Sequence, residues 1–184
     1  MELLNPKGKA IGKTCSKTKV HRLGYWHRCV HIWIYSSANQ ILIQKRAINK
    51  SAFPNFWDVS VAGHVIAGET LEEAAKREVF EELGLNINQK KLQKIGTYAF
   101  DFEHSKNYLD REHTTIFIYQ YQSSSWEGLK LQSEEVSEIR LVGIKELSKH
   151  VQSDSSELDF VPYHRNYFKF VIDHLGKKIS TLGA

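Results

Sequence analysis

The sequence predicts an α/β fold in which a mixed β-sheet is sandwiched between helices, an α/β/α sandwich. Runs rich in β-branched and aromatic residues stand both before and after one strongly marked central helix, and two further helical segments follow near the end of the chain. In addition, 184 residues with 41% hydrophobic content can bury a full core, and no break in composition calls for a second domain. Residues 1–184 therefore read as a single domain.

The elements follow in order. Residues 1–20, centred on Pro6-Lys7-Gly8-Lys9, read as a β-hairpin extension appended to the core. Residues 31–35 and 41–44 are strands, joined as a hairpin across the polar stretch Ser36-Ser37-Ala38-Asn39-Gln40. A strand over residues 57–62 delivers the chain into Gly63. Thr70, followed three residues later by Glu73 and by the helix formers Leu71, Ala74 and Ala75, is a capping box that opens the central helix. Gly84, after Leu83, can take the left-handed conformation that stops it. Strands over 92–102, 114–122 and 138–142 come next, and 145–184 is a helical region. It has helices at 145–151 and 163–175, the second after Pro162, with the polar loop 152–157 between them.

The central helix carries the chemistry. At roughly 100° per residue, Glu78 and Glu82 lie within about 40° of each other and Glu81 about 60° to one side of Glu78. Leu71, Ala74 and Ala75 project to the same side, and Val79 and Leu83 border it. The carboxylates therefore lie beside the buried stripe instead of opposite it. Like charges three and four residues apart repel, and drawing them toward a core costs more. A divalent cation removes both penalties. Mg2+ or Mn2+ suits carboxylate oxygens, bridges to phosphates and acidifies a bound water. Arg77, with its planar fork, can hold a neighbouring carboxylate in a fixed orientation.

From Gly63 the chain runs five residues to Glu69 and seven more to Arg77-Glu78, then Val79, Phe80, Glu81-Glu82, Leu83, Gly84 and Leu85. Residues 63–85 thus resemble the Nudix signature, G-x5-E-x7-R-E-U-x-E-E-x-G-U with U aliphatic, at every fixed position. The resemblance narrows the fold to the mixed-sheet Nudix fold. It implies a metal-dependent hydrolase that cleaves the phosphoanhydride bond of a nucleoside diphosphate or of another diphosphate linked to a second group. On this reading Glu78, Glu81 and Glu82, with Glu69 and the backbone carbonyl of Ala62 or Gly63, bind Mg2+ or Mn2+, and Arg77 orients them. Nudix hydrolases often recruit a further carboxylate from outside the box as metal ligand or general base, and Glu112, just before a strand, is the candidate.

A second resemblance lies upstream. Trp26-His27, Leu42-Ile43-Gln44-Lys45-Arg46, Lys50, Pro54, Trp57 and Ala62-Gly63-His64 are similar to isopentenyl-diphosphate isomerase and its hydrolase relatives, over about residues 20–145. Carried over, Arg46 and Lys50 hold the substrate's diphosphate. His21, His27, His64, Asp110 and Glu112 correspond to a metal-binding set, although the spacing of the first histidine differs by one residue. Two departures stand against isomerisation: the isomerases' catalytic cysteine falls on Ala62, and their box has an arginine where this chain has Glu78. An isomerase-like enzyme or prenyl-diphosphate binder is the enzymatic alternative, and a nucleotide-sensing or nucleic-acid-binding regulatory module is the non-enzymatic one.

Composition limits the partners. Net charge is +4 and the pI is near 8.9. The only dense basic stretch is 7–28, so attraction of a small polyanionic substrate accounts for the charge better than nucleic acid does. Two cysteines, Cys15 and Cys29, make no bridge framework or metal spacing, and no apolar signal core or membrane span is present. A cytoplasmic location without membrane contact is the expectation. The aromatic-rich segments 100–110 and 159–167 are read as loops that could select the substrate's second group, or as core.

Overall fold

The computed structural model describes residues 1–36, 38–122, 126, 128–152 and 158–180. The first strands, β1 (Glu2–Leu4) and β2 (Ala10–Thr14), pair antiparallel as a two-stranded hairpin. They lead into helix α1 (Lys17–Leu23), closed by Gly24 in the left-handed conformation at φ 64°. The predicted hairpin thus ends at Thr14, and the last residues assigned to it belong to a short helix.

The main sheet has seven strands: β3 (His27–Ser36), β4 (Gln40–Arg46), β5 (Trp57–Asp58), β6 (Val61–His64), β7 (Gln93–Ser105), β8 (Tyr108–Tyr121) and β9 (Val136–Gly143). Helix α2 (Leu71–Leu83) lies between β6 and β7, and α3 (Ile144–Gln152) and α4 (Arg165–Ser180) follow β9. The mixed sheet is centred on β3, which runs parallel to β8 in unbroken register from His27↔Glu112 to Ser36↔Tyr121.

On its other side β3 pairs antiparallel with β6 from Cys29↔His64 to Ile32↔Val61, and meets β4 only at Tyr35↔Ile41. The predicted hairpin of the third and fourth strands is therefore confined to its turn end, beyond which the strands splay. The segment 57–64 fills the gap, and for that reason the expected single strand breaks at Val59-Ser60: its first half pairs with β4 and its second with β3. At the break the buried Ser60 hydroxyl accepts from the Ile34 amide at 2.8 Å and donates to the Leu42 carbonyl, bridging both strands. Ser60 thus satisfies backbone groups that the splay would leave orphaned.

Strand alternation divides the core in two. Val30, Ile32 and Ile34 face α2 and pack with its Ala74, Ala75, Val79 and Leu83. Trp33 and Tyr35 face the other way, toward Leu147 of α3 and Tyr167, Phe168, Val171 and Leu175 of α4. These two layers on one sheet make the predicted α/β/α sandwich. The capping box is present, with Thr70 Oγ1 accepting from the Glu73 amide and Glu73 from the Thr70 amide. The predicted selectivity loop at 100–110 is instead the paired end of the β7–β8 hairpin, whose register runs on to Ser105↔Tyr108. Loop 152–157 lies outside the described residues beyond Gln152. Among the described residues no helix is long and apolar enough to cross a membrane.

Each fully buried aliphatic side chain on β3 contributes about 1.5–3 kcal/mol by removal from water. Ile32, with 0% exposure beneath α2, should lose about 2–5 kcal/mol of stability as Ile32→Ala through transfer and cavity terms. The check is a urea unfolding curve whose midpoint falls while its slope is unchanged.

Candidate functional site

Strand β6 ends on the sheet at Ala62, Gly63 and His64, and the chain returns through residues 65–70 into α2. The first turn of the site is set by close approach. A Cβ on Gly63 would lie 2.0 Å from the Glu78 carboxyl carbon, so the Glu78 side chain rests on bare backbone. Glycine is required there for space, since any side chain would displace the carboxylate.

Arg77 ties loop and helix together. Its Nε and Nη2 donate to the two oxygens of Glu69 at 2.8 and 3.0 Å. Nη1 donates to Glu78 at 2.8 Å and Glu81 at 3.0 Å, and Nη2 also reaches the His64 carbonyl at 2.9 Å. Both oxygens of Glu69, expected among the metal ligands, are thus engaged by the guanidinium in the bidentate form that arginine favours. Glu69 holds Arg77, and its Oε2 also accepts from the Ile66 amide at 3.0 Å. Burial raises the carboxyl of Glu78, against the lowering influence of Arg77.

Glu82 is the exception in this network. It is 3% exposed, receives nothing from Arg77, and its Oε2 has no hydrogen-bond partner among the described residues. Burial first, then the charges of Glu78 and Glu135, push its carboxyl well above the usual range. An unpartnered buried carboxylate oxygen beside a second buried carboxylate is the donor set of a hard divalent cation, so these residues fit Mg2+ or Mn2+.

A second group gathers on the neighbouring strands. His27, Cys29 and His31 share one face of β3. On β8, Tyr108, Asp110 and Glu112 alternate onto the cleft, and His64 comes from β6. The ligand atoms of His21, His27, His64 and Asp110 lie within 4.8 Å of one another, as do those of His27, Cys29, His64 and Glu112. His21 Nε2 is 2.9 Å from Asp110, and Glu112 is 3.6 Å from His27 and 3.5 Å from His64. His21 Nδ1 and His27 Nδ1 contact the carbonyls of Lys17 and Tyr25 at 2.7 and 3.0 Å. A carbonyl only accepts, so each of these Nδ1 atoms carries a proton, and both rings turn Nε2 inward, that of His21 toward Asp110 and His64 and that of His27 toward Glu112. The ring nitrogens of His21, His27 and His64 with the carboxylates of Asp110 and Glu112 fit a divalent ion. The structure therefore brings His21, His27, His64, Asp110 and Glu112 together, and His64 joins both groups, its carbonyl on Arg77 and its ring among the histidines.

Cys29, His31, His64, Arg77, Glu78, Glu81, Glu82, Asp110 and Glu112 border one cleft of about 450 Å3, which His21, His27 and Glu69 do not line but whose lining residues they contact. Arg46 and Lys50 line it too, each already paired: Arg46 with the fully buried Asp58 at 2.9 Å and the Ala52 carbonyl at 3.0 Å, Lys50 with Glu135. Phe53, Phe102, Tyr108, Val161 and Tyr163 form the apolar wall. Within the segment 159–167, Val161 and Tyr163 face the cleft, whereas Tyr167 is core, its hydroxyl contacting Trp33 Nε1 at 3.0 Å and His31 Nδ1 at 2.8 Å. Sequence reasoning missed Tyr108, stacked on His21 with ring centroids 5.1 Å apart, and Glu135 and Cys29. The period-two alternation of Tyr108, Asp110 and Glu112 was the available signal for the first.

A Nudix sandwich with a carboxylate-bearing helix over such a cleft defines the class, and the comparisons agree. The NUDIX domain family matches residues 25–163. An uncharacterized Nudix hydrolase of Listeria monocytogenes is 35% identical over 163 residues, covering 88% of each chain. Nudix hydrolase 3 of Arabidopsis thaliana is 30% identical over 168 residues, and there the chain spans 22% of the longer protein. An isopentenyl-diphosphate Delta-isomerase of Streptomyces coelicolor is 29% identical over 157 residues, 84% of this chain and 76% of that protein. A crystal structure from Deinococcus radiodurans shares the fold with a TM-score of 0.66 at 21% identity, over 96% of both chains. The chain belongs to the Nudix family, as a hydrolase of the kind that acts on diphosphate bonds and generally requires a divalent metal.

The raised Glu82 carboxyl fixes a pH dependence for the metal-free protein. A carboxyl whose folded value lies above its ordinary 4.5 binds more protons folded than unfolded, so stability falls as pH rises through that window. Glu82→Gln, which stays neutral, should raise the melting temperature of metal-free protein at neutral pH and lose that advantage below about pH 4.5. Thermal scans in chelator across pH, for wild type and variant, measure both.

Proposed function

We propose that this chain hydrolyses the phosphoanhydride bond of a nucleoside diphosphate or other small molecule carrying a diphosphate linked to a second group. The observation that carries the reading is Glu82: a buried carboxylate with an unpartnered oxygen, beside Glu78, on the same cleft as Arg46 and Lys50. Mg2+ or Mn2+ held by Glu78, Glu81 and Glu82 and a backbone carbonyl of Ala62 or Gly63 supplies charge neutralisation at phosphorus and an acidic water. Arg77 fixes Glu78 and Glu81 through one oxygen each, which leaves the other oxygen of each for the ion. Arg46 is held by Asp58 and Ala52 through Nη1 and Nε, which presents Nη2 to a phosphate oxygen in a preset orientation. Lys50 exchanges its partner Glu135 for the diphosphate when substrate enters. Positioning and charge compensation supply most of the acceleration in phosphoryl transfer.

His21, His27, His64, Asp110 and Glu112 form a second divalent-cation site in this reading, with Glu112 a ligand there. That group, and the relatives named for isopentenyl-diphosphate isomerisation, favour a second reading as an isomerase. Ala62, which can neither give nor take a proton, stands against it. Isopentenyl diphosphate in deuterated water separates the two: deuterium incorporation without phosphate release would decide for isomerisation.

The central test is a phosphate-release screen of nucleoside diphosphates, nucleoside diphosphate sugars, dinucleotides and prenyl diphosphates with Mg2+ and Mn2+. On the best substrate, Glu82→Gln should lower turnover by at least about 100-fold, the upper end of what disturbing a ligand's support alone costs. Arg46→Ala should act mainly through KM. Wild-type turnover by Glu82→Gln at saturating Mg2+ would overturn the assignment.

A further inference from the structure

The histidine group contains a side chain that diphosphate hydrolysis does not use. Cys29 lies on β3 between His27 and His31, two residues from each and therefore on their face of the sheet. Across the strands it stands opposite His64 on β6 and Thr114 on β8, and Glu112 lies one strand pair along, opposite His27. Cysteine is often buried as a small hydrophobe, and Cys29 is only 3% exposed. Its neighbours on this face, however, are histidines, a threonine and a carboxylate.

Two further observations point to a ligand. The ligand atoms of His27, Cys29, His64 and Glu112 lie within 4.8 Å of one another. His27 has 0% exposure, and its Nε2 has no hydrogen-bond partner among the described residues, while its Nδ1 is occupied by the Tyr25 carbonyl. A bare, buried nitrogen aimed among a thiol, a second imidazole and a carboxylate is costly unless something fills the space between them.

We propose that Cys29 is a thiolate ligand in a sulfur, nitrogen and oxygen site completed by His27, His64 and Glu112, and that this site takes Zn2+ in preference to Mg2+. The proposal rests on the reading of the histidine group as a metal site, and adds to it the thiolate and the selectivity that sulfur confers. Hard Mg2+ avoids sulfur, whereas Zn2+ accepts Cys, His and carboxylate together in four-coordinate sites. The box, built of carboxylates, has the opposite preference. One cleft thus carries two sites sorted by the softness of their donors. On binding, the S–H bond of Cys29 breaks, a sulfur–metal bond forms, and one proton per ion passes to solvent.

The experiment uses the full chain carrying Cys15→Ser, stripped of metal and titrated with Co2+, which stands in for Zn2+ and reports its ligands by absorption. The expected result is an intense near-ultraviolet thiolate-to-cobalt band. Replacing Cys29 by serine should abolish that band while Co2+ still binds the histidines, and should weaken Zn2+ affinity by more than the roughly tenfold that losing an outer-shell partner costs. Cobalt bound with only weak visible bands, and Co2+ binding lost in His27→Ala, would overturn the thiolate and leave the histidine site standing. Cobalt binding that is lost in Glu78→Gln and kept in His27→Ala would overturn both. The absorption of the Cys15→Ser protein alone decides for or against the thiolate, so the outcome does not depend on the serine variant folding.

Discussion

Arg77 is the point on which loop, helix and sheet converge. Its guanidinium holds Glu69 with two bonds, reaches Glu78 and Glu81 along the helix and takes the His64 carbonyl from the strand. Without it three neighbouring carboxylates would repel one another, and the His64 carbonyl would lose its bond to Nη2. Five N–H donors in a rigid plane can answer four groups at once, which an ammonium cannot. Glu82 receives nothing from it, and this separates the carboxylates that the guanidinium holds from one whose carboxyl burial pushes up.

The sheet behind the helix uses one strand for two purposes. Along one face of β3, His27, Cys29 and His31 give way to Trp33 and Tyr35, so the same row of side chains passes from ligand-bearing to core within five positions. The opposite face, Val30, Ile32 and Ile34, is apolar throughout and carries α2. Position and chemistry are thus separated by the pleat. The apolar face fixes where the helix lies, and the polar end of the other face stays free to vary in its donors.

What could be read from the sequence was what is local. The capping box and the spacing of Arg77, Glu78, Glu81 and Glu82 are set within two or three helical turns, and helix geometry places them without knowledge of the rest of the fold. Helix α1 escaped notice because it has only seven residues, and its Ser16 cap makes no side-chain hydrogen bond. Beyond Phe102 the paired end of β7 and β8 reads as loop because Glu103 and Asp110 break the apolar alternation of a half-buried strand. A strand that faces a polar cleft loses the pattern by which strands are recognised. The break at Val59-Ser60 and the parallel pairing of β3 with β8 were beyond reach, since both depend on which strands become neighbours. Arg46 and Lys50 could be found by resemblance, but their existing partners, Asp58 and Glu135, could not.

The parallel pairing of β3 with β8 also bears on how the molecule is made. His27 and its partner Glu112 are separated by the whole box and the β7–β8 turn, and closing a loop of that length must precede any reward from the contacts it brings. A chain leaving the ribosome has produced three histidines and every box carboxylate before Asp110 and Glu112 exist. During that interval the nascent chain exposes a set of metal donors with no sheet to confine them. The order in which ions and strand arrive is then a matter of folding kinetics.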